Sequence, residues 1–83
     1  MHERDFKMLA TRNAVRAVVV RERPTQDGFD VVIDGDTLES ARRDAGAAKA
    51  RRFAKLDTAV ALLRGVGIHR FSVQLAAQPE TVA

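Results

Sequence analysis

Between Leu56 and Leu63 the apolar residues Leu56, Ala59, Val60 and Leu63 stand at i, i+3, i+4 and i+7. This spacing predicts a helix with one apolar stripe, leaving Asp57, Ala61 and Arg64 on the other side. Asp57 in the first turn and Arg64 in the last oppose the partial charges of the helix ends, each contributing about 0.3–1 kcal/mol. Gly67 is placed to take the left-handed conformation that stops a helix and to fold Ile68 back on Leu63. Beyond it the period falls from about 3.6 to about 2. Phe71, Val73 and Leu75 alternate with Arg70, Ser72 and Gln74, which predicts a closing strand with one apolar face.

Upstream, Val15, Ala17, Val18, Val19 and Val20 are β-branched enough to predict a first strand from about Val15 to Arg23. Pro24 and the turn-forming Thr25, Gln26, Asp27 and Gly28 reverse the chain. Phe29, Val31 and Ile33 then define a second strand that pairs with the first as an antiparallel hairpin, and Asp34-Gly35-Asp36 is a tight turn of the Asp-Gly type. Thr37 to Ala50 has two readings. Leu38, Ala41, Ala45 and Ala48 fit a helical spacing that would run on to Val66, with Gly46 weakening it by about 1 kcal/mol. The favoured reading pairs Thr37 to Arg42 as a third strand after the Asp-Gly turn and leaves Asp44 to Ala50 as a basic connection. Residues 1–14 are expected as a partly ordered arm, with Met1 to Leu9 open to a short helical turn and Thr11 placed to cap a single turn, and residues 77–83 as a disordered tail. The prediction is thus an α+β domain over residues 15–76: a small antiparallel sheet, either a hairpin or a three-strand meander, then one amphipathic helix, then a C-terminal strand.

Composition narrows what such a domain does. An 83-residue chain has a small core, and the absence of Trp and Tyr leaves Val, Leu, Ala and four Phe to fill it. Marginal stability of this kind makes a homodimer an expected solution. Without cysteine there is no disulfide framework, thiolate nucleophile or cysteine zinc site. No apolar run is long enough for a membrane span or a signal sequence, so a cytoplasmic protein with no membrane partner is expected. The net charge is +3 and the pI about 10.2. Arg42, Arg43, Lys49, Arg51, Arg52 and Lys55 stand against Asp44 alone in their segment, which more than accounts for the excess.

Those six residues are the candidate nucleic-acid site, because clustered cations neutralise phosphates and give affinity without sequence preference. The plainer alternative is a solvated, solubilising segment. Phe53 reads as core in preference to a base-stacking platform. Arg12, Arg16, Arg21 and Arg23 either extend the basic footprint or guard an edge strand against aggregation, and the second is favoured. Asp30, Asp34, Asp36 and Glu39 lack the alternating spacing of a calcium loop and read as turn and surface carboxylates, so no metal or cofactor is expected. His69 can be written beside Ser40 or Ser72 as a base and nucleophile, but no nucleophile-elbow motif surrounds either serine. No glycine-rich loop opens a helix, so there is no phosphate cradle. Catalysis has no positive support.

Four stretches together resemble a known group: Arg52-Phe53-x-Lys55-Leu56-Asp57-Thr58-Ala59, then Leu62-Leu63-Arg64-x-x-Gly67-Ile68-x-Arg70-Phe71-x-Val73, with Ala10-Thr11-Arg12-x-Ala14-Val15 and Ile33-Asp34-Gly35. The pattern resembles the small ParC-like partition-associated accessory proteins of plasmids and integrative elements. The resemblance implies a bacterial mobile-element setting and a non-catalytic helper role in maintenance or partition, with no catalytic residues to carry over. The first functional expectation is therefore an accessory protein whose Arg42 to Lys55 segment contacts DNA. The alternative is an adaptor or inhibitor that docks on a larger partition or host complex through a sheet edge, or as a homodimer. A ribbon-helix-helix regulator is excluded, since it needs a strand before two helices and here the clearest strand follows the clearest helix.

Overall fold

The computed structural model describes residues 1–39 and 50–76. Its elements are α1 (Glu3–Thr11), β1 (Val18–Glu22), β2 (Phe29–Ile33), β3 (Asp36–Thr37), α2 (Leu56–Gly65) and β4 (Ser72–Gln74), with the strands in the order β3-β2-β1-β4. The architecture is α+β, as the periodicities predict. One apolar cluster holds it together: Phe6 from α1, Val18 and Val20 from β1, Val31 and Ile33 from β2, Leu38, Phe53, and Ala59 and Leu63 from α2. All these side chains point to one face of the sheet, and α2 lies over β2.

The helix α2 ends as the glycine stop requires. Gly67 has a φ of +87°, its N–H donates to the Arg64 carbonyl at 3.0 Å, and the Ile68 N–H donates to the Leu63 carbonyl at 2.9 Å. Those two bonds satisfy carbonyls that the helix leaves open, and Ile68 packs against the core as a result. Residues 1–14 depart from the expected arm. They contain α1, whose Phe6 is fully buried, and the helix stops by the same two-bond device with Asn13 in place of glycine. Asn13 has a φ of +55°, its N–H reaches the Ala10 carbonyl at 3.0 Å, and the Ala14 N–H reaches Leu9 at 2.8 Å. Thr11 therefore closes a helix where a cap opening one was expected, and its hydroxyl donates back to the Lys7 carbonyl at 2.8 Å.

The β1–β2 hairpin pairs Val18 with Ile33 through to Glu22 with Phe29. It begins three residues later than the run of β-branched residues suggests because a side chain takes the earlier N–H groups. The Asp34 carboxylate accepts from the N–H of Arg16 at 3.0 Å and from that of Ala17 at 2.7 Å. Asp34 and Gly35 have φ values of +49° and +88°, the mirror-image turn that suits a two-residue hairpin, and they join β2 to β3. Leu38 and Glu39 continue beyond β3, with the Leu38 N–H on the Val31 carbonyl at 2.7 Å and Glu39 bridged to Ala50. Residues 37–39 are therefore extended and paired, while Ser40 to Arg42 of the proposed third strand, and the tail, lie outside the described residues. A helix running unbroken from Leu38 is ruled out, since Phe53 bridges Phe29 and α2 starts at Leu56.

Two placements correct the expectations. The sheet is mixed, because β4 pairs parallel to β1, Val19 with Ser72 through to Arg21 with Gln74. A helical crossover returns the chain to the end from which β3 set out, so β4 runs the same way as β3 and β1. In addition, β1 is an interior strand, so its Arg21 does not guard an edge. The edge strands among the described residues are β3 and β4.

Candidate interaction site

Of the six basic residues singled out in the sequence, Arg42, Arg43 and Lys49 lie outside the described residues. Arg51 and Arg52 are tied into the fold. The Arg51 guanidinium pairs with the Glu3 carboxylate of α1 and sits 4.9 Å from the centre of the Phe53 ring, over its face. Its backbone N–H donates to the Leu38 carbonyl at 2.9 Å. Arg52 donates from a terminal guanidinium nitrogen to the Asp27 carbonyl at 2.6 Å, and its Cγ lies against Gly28. Phe53 itself is buried, as its core reading requires. Lys55 precedes α2, is exposed, and makes no side-chain cap bond.

The other charges have local partners too. Arg23 pairs with Asp30 at 2.9 Å with both side chains largely buried, and the Glu22 carboxylate accepts the Ala76 N–H at 3.0 Å. Glu39 lies 2.7 Å from the backbone nitrogen of Met1. Asp27 is exposed, and the Thr25 hydroxyl that donates to it holds its carboxyl below the usual carboxylate range. A loss of hydration works the other way, while its own N–H and the nearby Arg23 and Arg52 guanidiniums reinforce the lowering. The four carboxylates weighed as calcium ligands are therefore distributed among two ion pairs, of Asp30 with Arg23 and of Glu39 with the Met1 nitrogen, two backbone N–H groups at Asp34, and the protein surface at Asp36. Among the described residues no group of three or more His, Asp or Glu side chains is gathered as a metal ion requires. His69 is exposed in the link between α2 and β4, and Ser72 is exposed on β4.

The feature that sequence reading passed over is the β4 edge. Val73 pairs with Val20 and so takes the parity of the core-facing residues, but α2 is set over β2 and leaves it 45% exposed. Leu75, two residues on, is 67% exposed. With Met8 these are the exposed large apolar side chains among the described residues. One side of β4 is hydrogen-bonded to β1, and along its other side alternate backbone N–H and carbonyl groups have no strand partner among the described residues. A groove of about 640 Å³ adjoins the end of this edge, lined by Arg21, Glu22, Pro24, Asp30, Gln74, Leu75 and Ala76. The stretch 71–75 carries no charge, in a chain that is 30% charged. That was the available signal, and it acquires meaning only once β4 is known to be an edge.

Among the described residues no helix is long and apolar enough to cross a membrane. No family model, curated protein or solved structure matches the chain.

Proposed function

We propose that the chain is a non-catalytic binding protein that docks on protein through the β4 edge. One observation carries this reading: a short edge strand with no strand on its outer side among the described residues, with Val73 and Leu75 in water and no charge between Phe71 and Leu75. Strand edges of this kind pair with any added strand through main-chain bonds, and natural proteins blunt them with lysine, proline or a bulge when no partner exists. The test is a photo-reactive benzophenone side chain introduced at Val73 in cells that express the protein, with the same group at Asp57 on the exposed side of α2 as the control. Adducts from position 73 and none from position 57 are expected. Equal yields from the two positions, or none from position 73, would overturn the reading.

A second reading keeps the accessory role in a mobile element and places DNA contact in the Arg42 to Lys55 segment. The exposure of Lys55 favours it. Because Arg51 and Arg52 serve the fold, the informative variant reverses Arg42, Arg43, Lys49 and Lys55 to Glu together. Fluorescence anisotropy on duplex DNA at low salt is expected to show binding that this variant loses and that rising salt weakens. Binding of equal strength by the variant would dispose of the DNA reading.

A further inference from the structure

We infer that the occupant of the β4 edge is a second copy of this chain, paired antiparallel about a two-fold axis at Val73, an inference that rests on the edge-docking reading above. The argument is one of register. A two-fold axis normal to the sheet keeps the helices of both copies on one face and requires each strand residue to oppose one of its own parity. With the axis at Val73, Val73 opposes Val73 of the second copy, Phe71 opposes Leu75, and Ser72 opposes Gln74. The core-side parity then carries an unbroken row of six apolar side chains across the seam, three from each copy. Within β4 the outer parity carries the uncharged hydrogen-bonding side chains of Ser72 and Gln74.

Charge permits this pairing despite a net charge of +3. The nearest flanking cation, Arg70, falls opposite Ala76 and away from Arg70 of the other copy. Moving the axis to Ser72 would bring Arg70 opposite Gln74 and His69 opposite Leu75, breaking the apolar row. The seam also covers the side chains that α2 leaves in water, Val73 and Leu75. The outcome is one continuous eight-stranded sheet in the order β3-β2-β1-β4-β4-β1-β2-β3. Its contact is shorter than the roughly 20–30 residues a side of a standard interface, so the dimer is expected to dissociate in the micromolar range.

The chain has no cysteine, so a single introduced thiol reports its own neighbour. Sedimentation equilibrium of the full chain is expected to show a concentration-dependent monomer–dimer equilibrium. Under mild oxidation or with a short bis-thiol reagent, Val73→Cys should give a covalent dimer in high yield. Ser72→Cys and Gln74→Cys should each cross-link poorly alone and well when mixed. Val73→Asp should be monomeric with an unchanged circular dichroism spectrum, since the side chain lies at the surface of one copy. A monomer at all concentrations, or a dimer that cross-links at neither position, would overturn the inference, as would one that cross-links through Gln74→Cys alone. If the benzophenone at Val73 still yields adducts with other proteins while the chain is monomeric, edge docking survives and the second copy does not. If neither is seen, both fall.

Discussion

Adding one methyl group at Gly28 tests how the open end of the core is closed. A Cβ built on Gly28 lies 2.8 Å from the Arg52 Cγ and 2.9 Å from the Phe53 carbonyl oxygen, against about 3.4 Å for ordinary contact. The arginine can swing away, but the carbonyl cannot retreat freely. It accepts the Phe29 N–H at 2.8 Å, and the Phe53 N–H returns the bond to Phe29 at 2.9 Å. Displacing it by about half an ångström weakens both bonds, each contributing about 0.5–1.5 kcal/mol. Overpacking of this kind costs about 1–3 kcal/mol. Because the two costs overlap, Gly28→Ala should lose about 2–4 kcal/mol, in addition to a backbone penalty of about 1 kcal/mol for a φ of +157° that it shares in kind with Gly35. For a domain of this size, whose whole stability is about 4–12 kcal/mol at ~0.05–0.15 kcal/mol per residue, that is a large fraction.

Urea unfolding followed by far-ultraviolet circular dichroism suits the measurement, as the chain has neither Trp nor Tyr. Gly35→Ala is the control. Gly35 has a φ of +88° but no atom within 4 Å of its added Cβ, so that substitution carries only the backbone penalty of about 1 kcal/mol. Adding Arg52→Ala to Gly28→Ala should recover only a minor part of the loss, since the contact with the Phe53 carbonyl remains. If Gly28→Ala proves no more destabilising than Gly35→Ala, the close approach of residues 28 and 53 does not hold the fold together and the reasoning fails.

Phe6→Ala should cost about 3–5 kcal/mol, as expected for a fully buried aromatic residue, and equilibrium unfolding that moved by less than about 1 kcal/mol would show that α1 is dispensable. Asp34→Ala strips the Arg16 and Ala17 N–H groups of a charged acceptor and should lose about 1–3 kcal/mol. Asp34→Asn, which keeps one acceptor oxygen and tolerates a positive φ, should lose less, and the reverse order in denaturation midpoints would contradict the assignment. Asp27 has a folded pKa below its unfolded one, so its contribution is present above the ordinary carboxylate range of about 4 and is lost as pH falls through the folded value. Thr25→Ala removes the main cause, so the difference in melting temperature between it and the unaltered chain should shrink as pH falls from neutral to below the ordinary carboxylate range. A difference that stays constant would sink that account.

The parts of the fold legible in the sequence are those set by neighbours in the chain. The stripe of α2, its Gly67 stop, the alternation of β2 and the Asp34-Gly35 turn each depend on residues within a turn or two of one another, and each stands where its pattern places it. The parts that were not legible depend on distant contacts. Helix α1 is short, mixed in charge and buries only Phe6 fully, so its apolar face is too thin to announce a helix. Asn13 and Thr11 can begin a helix as readily as end one, and the choice is made by packing. The direction of β4 is equally invisible in an alternating pattern, because alternation fixes which face a side chain takes and not which way the strand runs.

The same distinction governs the candidate site. A run of cations in sequence suggests a surface potential, but a carboxylate partner offsets a guanidinium's charge, and a carbonyl partner leaves the charge while fixing where the side chain points. Arg51 finds its carboxylate 48 residues away on α1, and Arg52 its carbonyl 25 residues away in the hairpin loop. No window of sequence around either arginine contains its partner, so the count of charges between Arg42 and Lys55 overstates what that segment can offer to phosphate. The β4 edge errs in the opposite direction. Phe71 to Leu75 reads as an ordinary amphipathic strand, and nothing local distinguishes a covered strand from an exposed one. Its exposure follows from two non-local facts, the pairing of β1 with both β2 and β4 and the seating of α2 over β2. An uncharged strand in that position calls for a covering strand, and this segment's own near-palindrome of apolar and hydrogen-bonding residues about Val73 supplies one.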